Sequence, residues 1–213
     1  MSTMRNLVLG LAAVAAVSGT IAAVAGGRTA LVSANLLRNG GAEIGPAAVN
    51  DRQTVAPARW QTTSKFTSVI YGAHGGFPPL TASGAIHGGR QFFAGGPGNP
   101  LSTATQKVRV PAEFLRGRAD ARLSADLGGF SSQADDATVT ARFLGAGGAT
   151  LGSLHIGPVG PGARGSTTKL VLRIGNGSMP VGTVAIQVVI SAKRFSGSYN
   201  DGYIDNVSLN LAH

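Results

Sequence analysis

The sequence predicts an all-β domain, a two-sheet β-sandwich that follows an N-terminal signal helix. Three observations carry this reading. Beyond Asn35, apolar and polar residues alternate with period two in one run after another, and no apolar stripe of helical period lasts longer than two turns. The runs are punctuated by Gly, Pro, Asn and Asp, which supply the backbone conformations that tight turns require. Hydrophobic residues make up 43% of the chain and charged residues only 13%, enough apolar content for a core and the opposite of a disordered composition. Glycine reaches 32 of 213 residues but shows no Gly-X-Y period, which excludes a collagen-like chain.

At the start, Met1–Asn6 carries one charge, Arg5, and Leu7–Ala25 follows without any. This is the charged and apolar pattern of a secretory signal, and Ala23-Val24-Ala25 supplies a small-x-small cleavage site. Val32-Ser33-Ala34 is a second candidate site. The apolar run also approaches the ~20 residues that span a bilayer, which leaves an uncleaved anchor open. The organisation read from the sequence is therefore a signal peptide over 1–25, a short linker over 26–34, and one domain over 35–213. The expected location is extracellular, with no membrane span once the signal is removed. The chain has no Cys, so no disulfide braces it; roughly 180 remaining residues suffice for a core without one.

Within the domain, strands are expected at Leu36–Leu37, Lys65–Tyr71, Arg90–Ala94, Thr103–Val110, Arg118–Leu127, Ala137–Phe143, Leu151–Gly157, Lys169–Ile174, Val184–Ser191 and Tyr203–Leu211. Ala119, Ala121, Leu123, Ala125 and Leu127 form a small apolar face, with Arg118, Asp120, Arg122, Ser124 and Asp126 on a solvated one. Ala137, Val139, Ala141 and Phe143, then Leu170, Leu172 and Ile174, then Val184, Ile186, Val188 and Ile190 are the corresponding core positions. Gly72–Gly89 and Gly95–Pro100 are expected as loops at one end of the sandwich, and Asp135-Asp136 and Asp201-Gly202 as turns. In the last strand Val207, Leu209 and Leu211 set the apolar phase, and counting back by two puts Asp205 on the core side. A carboxylate there needs a cation, an Arg or backbone N–H groups, because burial without a partner costs several kcal/mol.

The formal charge is +9, yet the basic residues are scattered singly along the chain. The densest group, Arg116, Arg118 and Arg122, is interleaved with Glu113, Asp120 and Asp126, which reads as a mixed-charge face, and no nucleic-acid partner is predicted. An enzyme is not predicted either. His74, His87, His155 and His213 fall in no metal-ligand spacing, there is no GxSxG elbow or Cys nucleophile, and Gly95-Gly96-Pro97-Gly98 lacks the pattern of a phosphate-binding loop.

The run Asn35-Leu36-Leu37-Arg38-Asn39-Gly40-Gly41-Ala42-Glu43, followed by Trp60, and the run Asn200-Asp201-Gly202-Tyr203-Ile204-Asp205-Asn206-Val207-Ser208-Leu209 resemble the two ends of CenC-type carbohydrate-binding modules and of the wider galactose-binding-like jelly rolls. Leu123–Phe143, with Gly128-Gly129-Phe130 and Gln133, is similar to a form recurrent in secreted actinobacterial proteins. The resemblance implies a jelly roll whose ends lie side by side. It also implies a structural calcium there, held by Glu43, Asp205 and backbone carbonyls, which suits hard oxygen donors and agrees with the phase of Asp205. Ala42 stands where related modules usually carry an aromatic residue.

The function so implied is that of a secreted, non-catalytic carbohydrate-binding-like module for cell-wall or environmental polysaccharide. The alternative is a secreted structural or adhesion protein that makes protein contacts without binding sugar. Sugar recognition needs aromatic faces and planar polar groups, for which the candidates are Trp60, Tyr71 and Tyr199 with Arg90, Gln91 and Asn200.

Overall fold

The computed structural model describes residues 23–25, 28–116 and 118–213. Ala23–Ala25 (β1) pairs antiparallel with Arg28–Ala30 (β2); the rest of the expected signal segment, and with it the signal helix, lies outside the described residues. Strands are numbered in chain order. One sheet has five strands in the order β10 (Thr150–Ile156), β9 (Asp136–Leu144), β12 (Ala185–Lys193), β7 (Leu101–Arg109), β4 (Gln61–Thr63), antiparallel throughout. The other has six, in the order β11 (Lys169–Ser178), β8 (Asp120–Gly129), β13 (Tyr199–Ala212), β6 (Gln91–Pro97), β5 (Thr67–His74), β3 (Ala48–Asn50), antiparallel except for the β3–β5 pair.

The two sheets close on one apolar layer, a sandwich of jelly-roll type. Val139 and Phe143 of β9, Ile186, Val188 and Ile190 of β12, Leu123 and Leu127 of β8, and Ile204, Leu209 and Leu211 of β13 meet there. Each of these larger side chains contributes about 1.5–3 kcal/mol by leaving water. A second apolar cluster lies on the outer face of the six-stranded sheet. Val69, Tyr71, Phe92, Leu170 and Tyr203 belong to it, and Phe77, from the segment that follows β5, packs on Phe92 and Tyr203.

The two ends of the domain lie side by side. Ser33 N–H donates to the Leu211 carbonyl (2.8 Å) and Leu36 N–H to the Leu209 carbonyl (2.9 Å), while Asn35 Nδ2 donates to the Val207 carbonyl (3.0 Å) and Asn35 Oδ1 accepts Leu209 N–H (3.0 Å). Val207 N–H closes on the Gly40 carbonyl (2.9 Å). A Cβ on Gly40 would stand 2.0 Å from the Val207 oxygen, so this crossing admits no side chain at position 40.

Several expectations are corrected. The Gly72–Gly89 segment holds a short helix, α1 (Leu80–Ile86), too brief to register as a stripe. Gly95–Pro97 is strand, continuing β6, because a Cβ at Gly95 would stand 2.2 Å from the Asn200 side chain of the neighbouring strand. Asp201-Gly202 likewise lies within β13, at a register shift against β6 rather than in a turn. Leu172 and Ile174 are 52% and 45% exposed, on the outer face, and Val184, 39% exposed, stands just before β12 rather than in the core. On the core side of β11, Gly175 and Gly177 face Ile156 and Leu154 of β10, whose side chains fill that edge, and Val171 packs inward. Ser124 and Asp126 are buried rather than solvated.

Candidate functional site

The junction of the chain ends is acidic and buried. β13 carries one extra residue between Asp205 and Ser208 relative to Asp126 and Ser124 of β8, and Asn206 takes up the bulge at φ 51°. The bulge reverses the phase of the strand. Val207, Leu209 and Leu211 stay in the core, whereas Asp205 lies on the outer face with Tyr203, fully buried and directly opposite Asp126. Two like charges so placed repel.

Tyr71 donates to Asp205 Oδ2 (2.6 Å) and Asn206 N–H to Asp205 Oδ1 (2.7 Å). Asn206 Nδ2 donates to Asp126 Oδ2 and to the Ile86 carbonyl, both at 2.9 Å. Burial pushes the Asp205 carboxyl up to about 8, with these bonds acting against the shift, and burial raises Asp126 as well. Glu43 comes from the first motif. Its Oε1 accepts Arg90 N–H (2.8 Å) and Gln91 N–H (2.7 Å).

Around the point where a Cβ on Gly41 would stand, Asp205 Oδ1 lies at 3.5 Å, Asn206 Oδ1 at 3.7 Å and Glu43 Cγ at 3.9 Å. The bare Gly41 thus leaves a cradle lined by hard oxygen donors, which fits a calcium ion in ligand type. Among the described residues no three His, Cys, Asp or Glu side chains group as a metal site, so the acids available are two carboxylates, with amide and backbone oxygens beside them.

The structure scatters the expected sugar-binding residues. Trp60 is 7% exposed, stands edge-on to Phe93 and donates Nε1–H to the Asn39 carbonyl (3.0 Å). Tyr71 is held by Asp205, and Tyr199 packs edge-on against Phe77 with its hydroxyl buried and unpartnered. Asn200 is buried and bonds to the Ala192 carbonyl (2.9 Å). Besides Tyr71, Arg90 and Gln91 border the acidic junction, through their N–H groups, with Gln91 Nε2 on the Gly45 carbonyl (3.1 Å). None of the three rings offers a face to solvent.

The outer face of the five-stranded sheet is different. Paired positions set hydroxyl and amide side chains in rows across it, Thr138–Ser191–Thr103–Thr63 and Thr140–Val189–Thr105–Gln61. These side chains are half-buried or exposed, and neither apolar cluster covers them among the described residues. Beyond the end of β12, past Ser191 and Lys193, stands Phe195, 53% exposed, with Lys193 Nζ 4.5 Å from its ring centre.

The placement of Phe195 rests on buried polar chemistry. Asp135, expected in a solvated turn, is fully buried; its Oδ1 accepts the N–H groups of Phe195 (2.7 Å) and Ser196 (3.0 Å), and its Oδ2 accepts Asp201 N–H (3.0 Å). The segment leading to Asp135 is held in turn by the fully buried Arg164, whose guanidinium donates to the carbonyls of Gly129, Ser131, Gln133 and Thr167. Sequence reasoning missed Phe195. The available signal was an aromatic residue directly after a strand and before Ser196-Gly197-Ser198, where no alternation places it in a core.

Asp201 beside this network is pushed up to about 6 by burial, the hydrogen bond from Tyr203 acting in the opposite sense. A carboxyl raised above its unfolded value binds protons more readily in the native state, so its contribution is full below about pH 4 and is lost as pH rises through 6. Asp201→Asn removes that loss. Between pH 4 and 7 its stability should gain on the wild type by up to about 3 kcal/mol, read from urea melts at each pH; parallel curves would contradict the assignment.

No protein-family model and no curated protein matches the chain. Among solved structures, the enzymatically active domain of bacteriophage CBA120 tailspike protein 4 matches at a TM-score of 0.51 and 15% identity, over 83% of this chain and 21% of that one. The chain thus spans about a fifth of that tailspike chain. A family 61 carbohydrate-binding module in complex with β-1,4-galactotriose matches at 0.48 and 17% identity, over 83% and 98% of the two chains. A family 16 carbohydrate-binding module matches at 0.45 and 16%, over 82% and 99%. At these identities the likeness is one of fold, and the fold is an all-β jelly-roll sandwich.

Proposed function

We propose that the chain is a non-catalytic carbohydrate-binding module of an exported protein, with the outer face of the five-stranded sheet as its glycan surface and a calcium ion tying its ends together. The observation that carries this is the exposed ring of Phe195 just past the end of β12, beside the threonine, serine and glutamine rows. An apolar ring takes the C–H face of a sugar while hydroxyl and amide groups beside it take the hydroxyls. The resemblance of the terminal motifs to CenC-type modules points the same way. Of the two carboxylates at the Phe195 end only Asp136 is not buried, Asp135 being fully buried on the Phe195 and Ser196 N–H groups, whereas glycoside hydrolysis takes two. In the calcium site Glu43, Asp205 and the Asn206 amide oxygen would hold the ion, with carbonyls of the Asn39–Gly41 segment; bound there, it would neutralise the facing carboxylates.

Phe195→Ala tests the glycan surface. Retention on insoluble polysaccharides should fall about tenfold, the worth of one aromatic contact at ~1–1.5 kcal/mol, while the melting curve stays put because the ring is more than half in solvent. An unchanged retention would remove Phe195 from the site. A protein that is retained on no polysaccharide but self-associates or captures a protein partner would establish the adhesion reading instead.

A further inference from the structure

At the edge of the same sheet, where β7 runs on past β4 at the end farthest from Phe195, the fold gathers charge that the sequence disperses. A shallow groove of about 400 Å³ is lined by Arg38, Arg59, Lys107 and Arg109, and no acidic side chain lines it. All four side chains are exposed. Arg38 belongs to the first motif, Arg59 to the segment before β4, and the other two to β7, so no charge run in the sequence announces the group.

The groove is built rather than incidental. One side chain, Gln106 of β7, fixes both arginine-bearing segments: its Oε1 accepts Arg38 N–H (2.8 Å), and its Nε2 donates to the carbonyls of Arg38 (2.9 Å) and Arg59 (3.1 Å). Asn39 Nδ2 adds a bond to the Ala58 carbonyl (2.9 Å). Arg59 itself sits at φ 73°, a left-handed conformation that costs a long side chain of order 1 kcal/mol and persists where the surroundings over-determine it. Lys107 pairs through Gln187 to Arg142, which carries the positive charge about 10 Å further across the sheet at the usual strand spacing.

We propose that this groove is an anion subsite that takes acidic polysaccharide, its carboxylate or sulfate groups pairing with the guanidinium groups of Arg38 and Arg59 and the charges of Lys107 and Arg109. The inference rests on the glycan reading above and names the class of glycan. From Leu101 beside Lys193 to Lys107 is about 20 Å along β7, so one extended chain can touch the Phe195 end and the basic end together. Guanidinium groups suit oxyanions because they donate in pairs. The alternative polyanion, single-stranded nucleic acid, requires rings on which bases stack, and no aromatic side chain lines the groove.

The test uses matched polymers with the purified full chain: polygalacturonate against β-1,4-galactan, dextran sulfate against dextran, and a single-stranded DNA oligonucleotide. Affinity for an acidic member should exceed that for its neutral partner by at least tenfold at 50 mM salt. With four phosphate-like contacts it should fall on the order of 100-fold by 200 mM. The two acidic arms separate carboxylate from sulfate. R38Q/R59Q/K107Q/R109Q should bring acidic polymers down to the level of neutral ones, and R38Q/R59Q alone should take at least a third of that loss on a logarithmic scale. Equal binding of acidic and neutral polymers with Phe195 dependence intact overturns this inference alone. Tighter binding to DNA than to either acidic polymer overturns it in favour of nucleic acid, and binding to no polysaccharide at all overturns the glycan reading with it.

Discussion

Arg164→Met is expected to destabilise the domain by about 3–5 kcal/mol, the cost of breaking a buried charged network by removing one partner. The Arg164 side chain is wholly out of water, and its guanidinium serves carbonyls at Gly129 (3.0 Å), Gln133 (2.6 Å) and Thr167 (3.1 Å) besides that of Ser131. Methionine fills most of the volume and satisfies none of these acceptors. Lysine rescues little, since one ammonium cannot reach four carbonyls arranged for a planar fork. For a chain of this size the loss corresponds to a melting point lower by about 10 °C. The effect extends to function. Without Arg164 the 129–135 segment loses its anchor, Asp135 loses its position, and the Phe195 and Ser196 N–H groups lose their acceptor. Binding to polysaccharide should therefore weaken at temperatures where the variant is still folded. A loss below 1 kcal/mol would mean that water replaces the guanidinium at little cost.

Why Arg164 and Phe195 escaped the sequence reading is a matter of what alternation encodes. Period two reports which side of a strand is apolar, and it placed Val139, Phe143, Ile186, Ile190 and Leu123 correctly in the core. It cannot report a lone Arg between Gly162 and Gly165 that closes a loop from within, nor an aromatic residue beyond the end of β12. It also fails where a strand slips. Counting back from Val207 put Asp205 in the core layer, and the extra residue at Asn206 moved it to the opposite face. The need for a partner survived that error, because burial rather than facing creates it. Asp126 was read as solvated since its strand alternates cleanly, yet the segment carrying α1 covers its side of the sheet, with the Ile86 carbonyl and Asp126 sharing one amide group of Asn206. The Gly-rich end motifs were legible for a simple reason: Gly40 marks a backbone crossing that no side chain tolerates.

Calcium at saturating concentration is expected to raise the stability of the domain, by about 2.7 kcal/mol at a free concentration a hundredfold above its dissociation constant. Chelator should remove the gain, and magnesium should reproduce little of it, because the smaller ion holds its water and demands stricter geometry. The decisive comparison is Asp205→Asn. The asparagine keeps an oxygen to accept from the Tyr71 hydroxyl, now at 2.6 Å, while it removes the charge that a divalent ion requires. If calcium sits between Glu43 and Asp205, the variant loses the calcium response and binds the ion at least tenfold more weakly. If instead Asp205 is a neutral acid bonded by Tyr71 and Asn206, calcium moves the melting point of neither protein. Glu43→Gln separates the two cases again. Its Oε1 still accepts the Arg90 and Gln91 N–H groups, so the fold is preserved, and a calcium response lost in that variant as well would assign both acids to one ion.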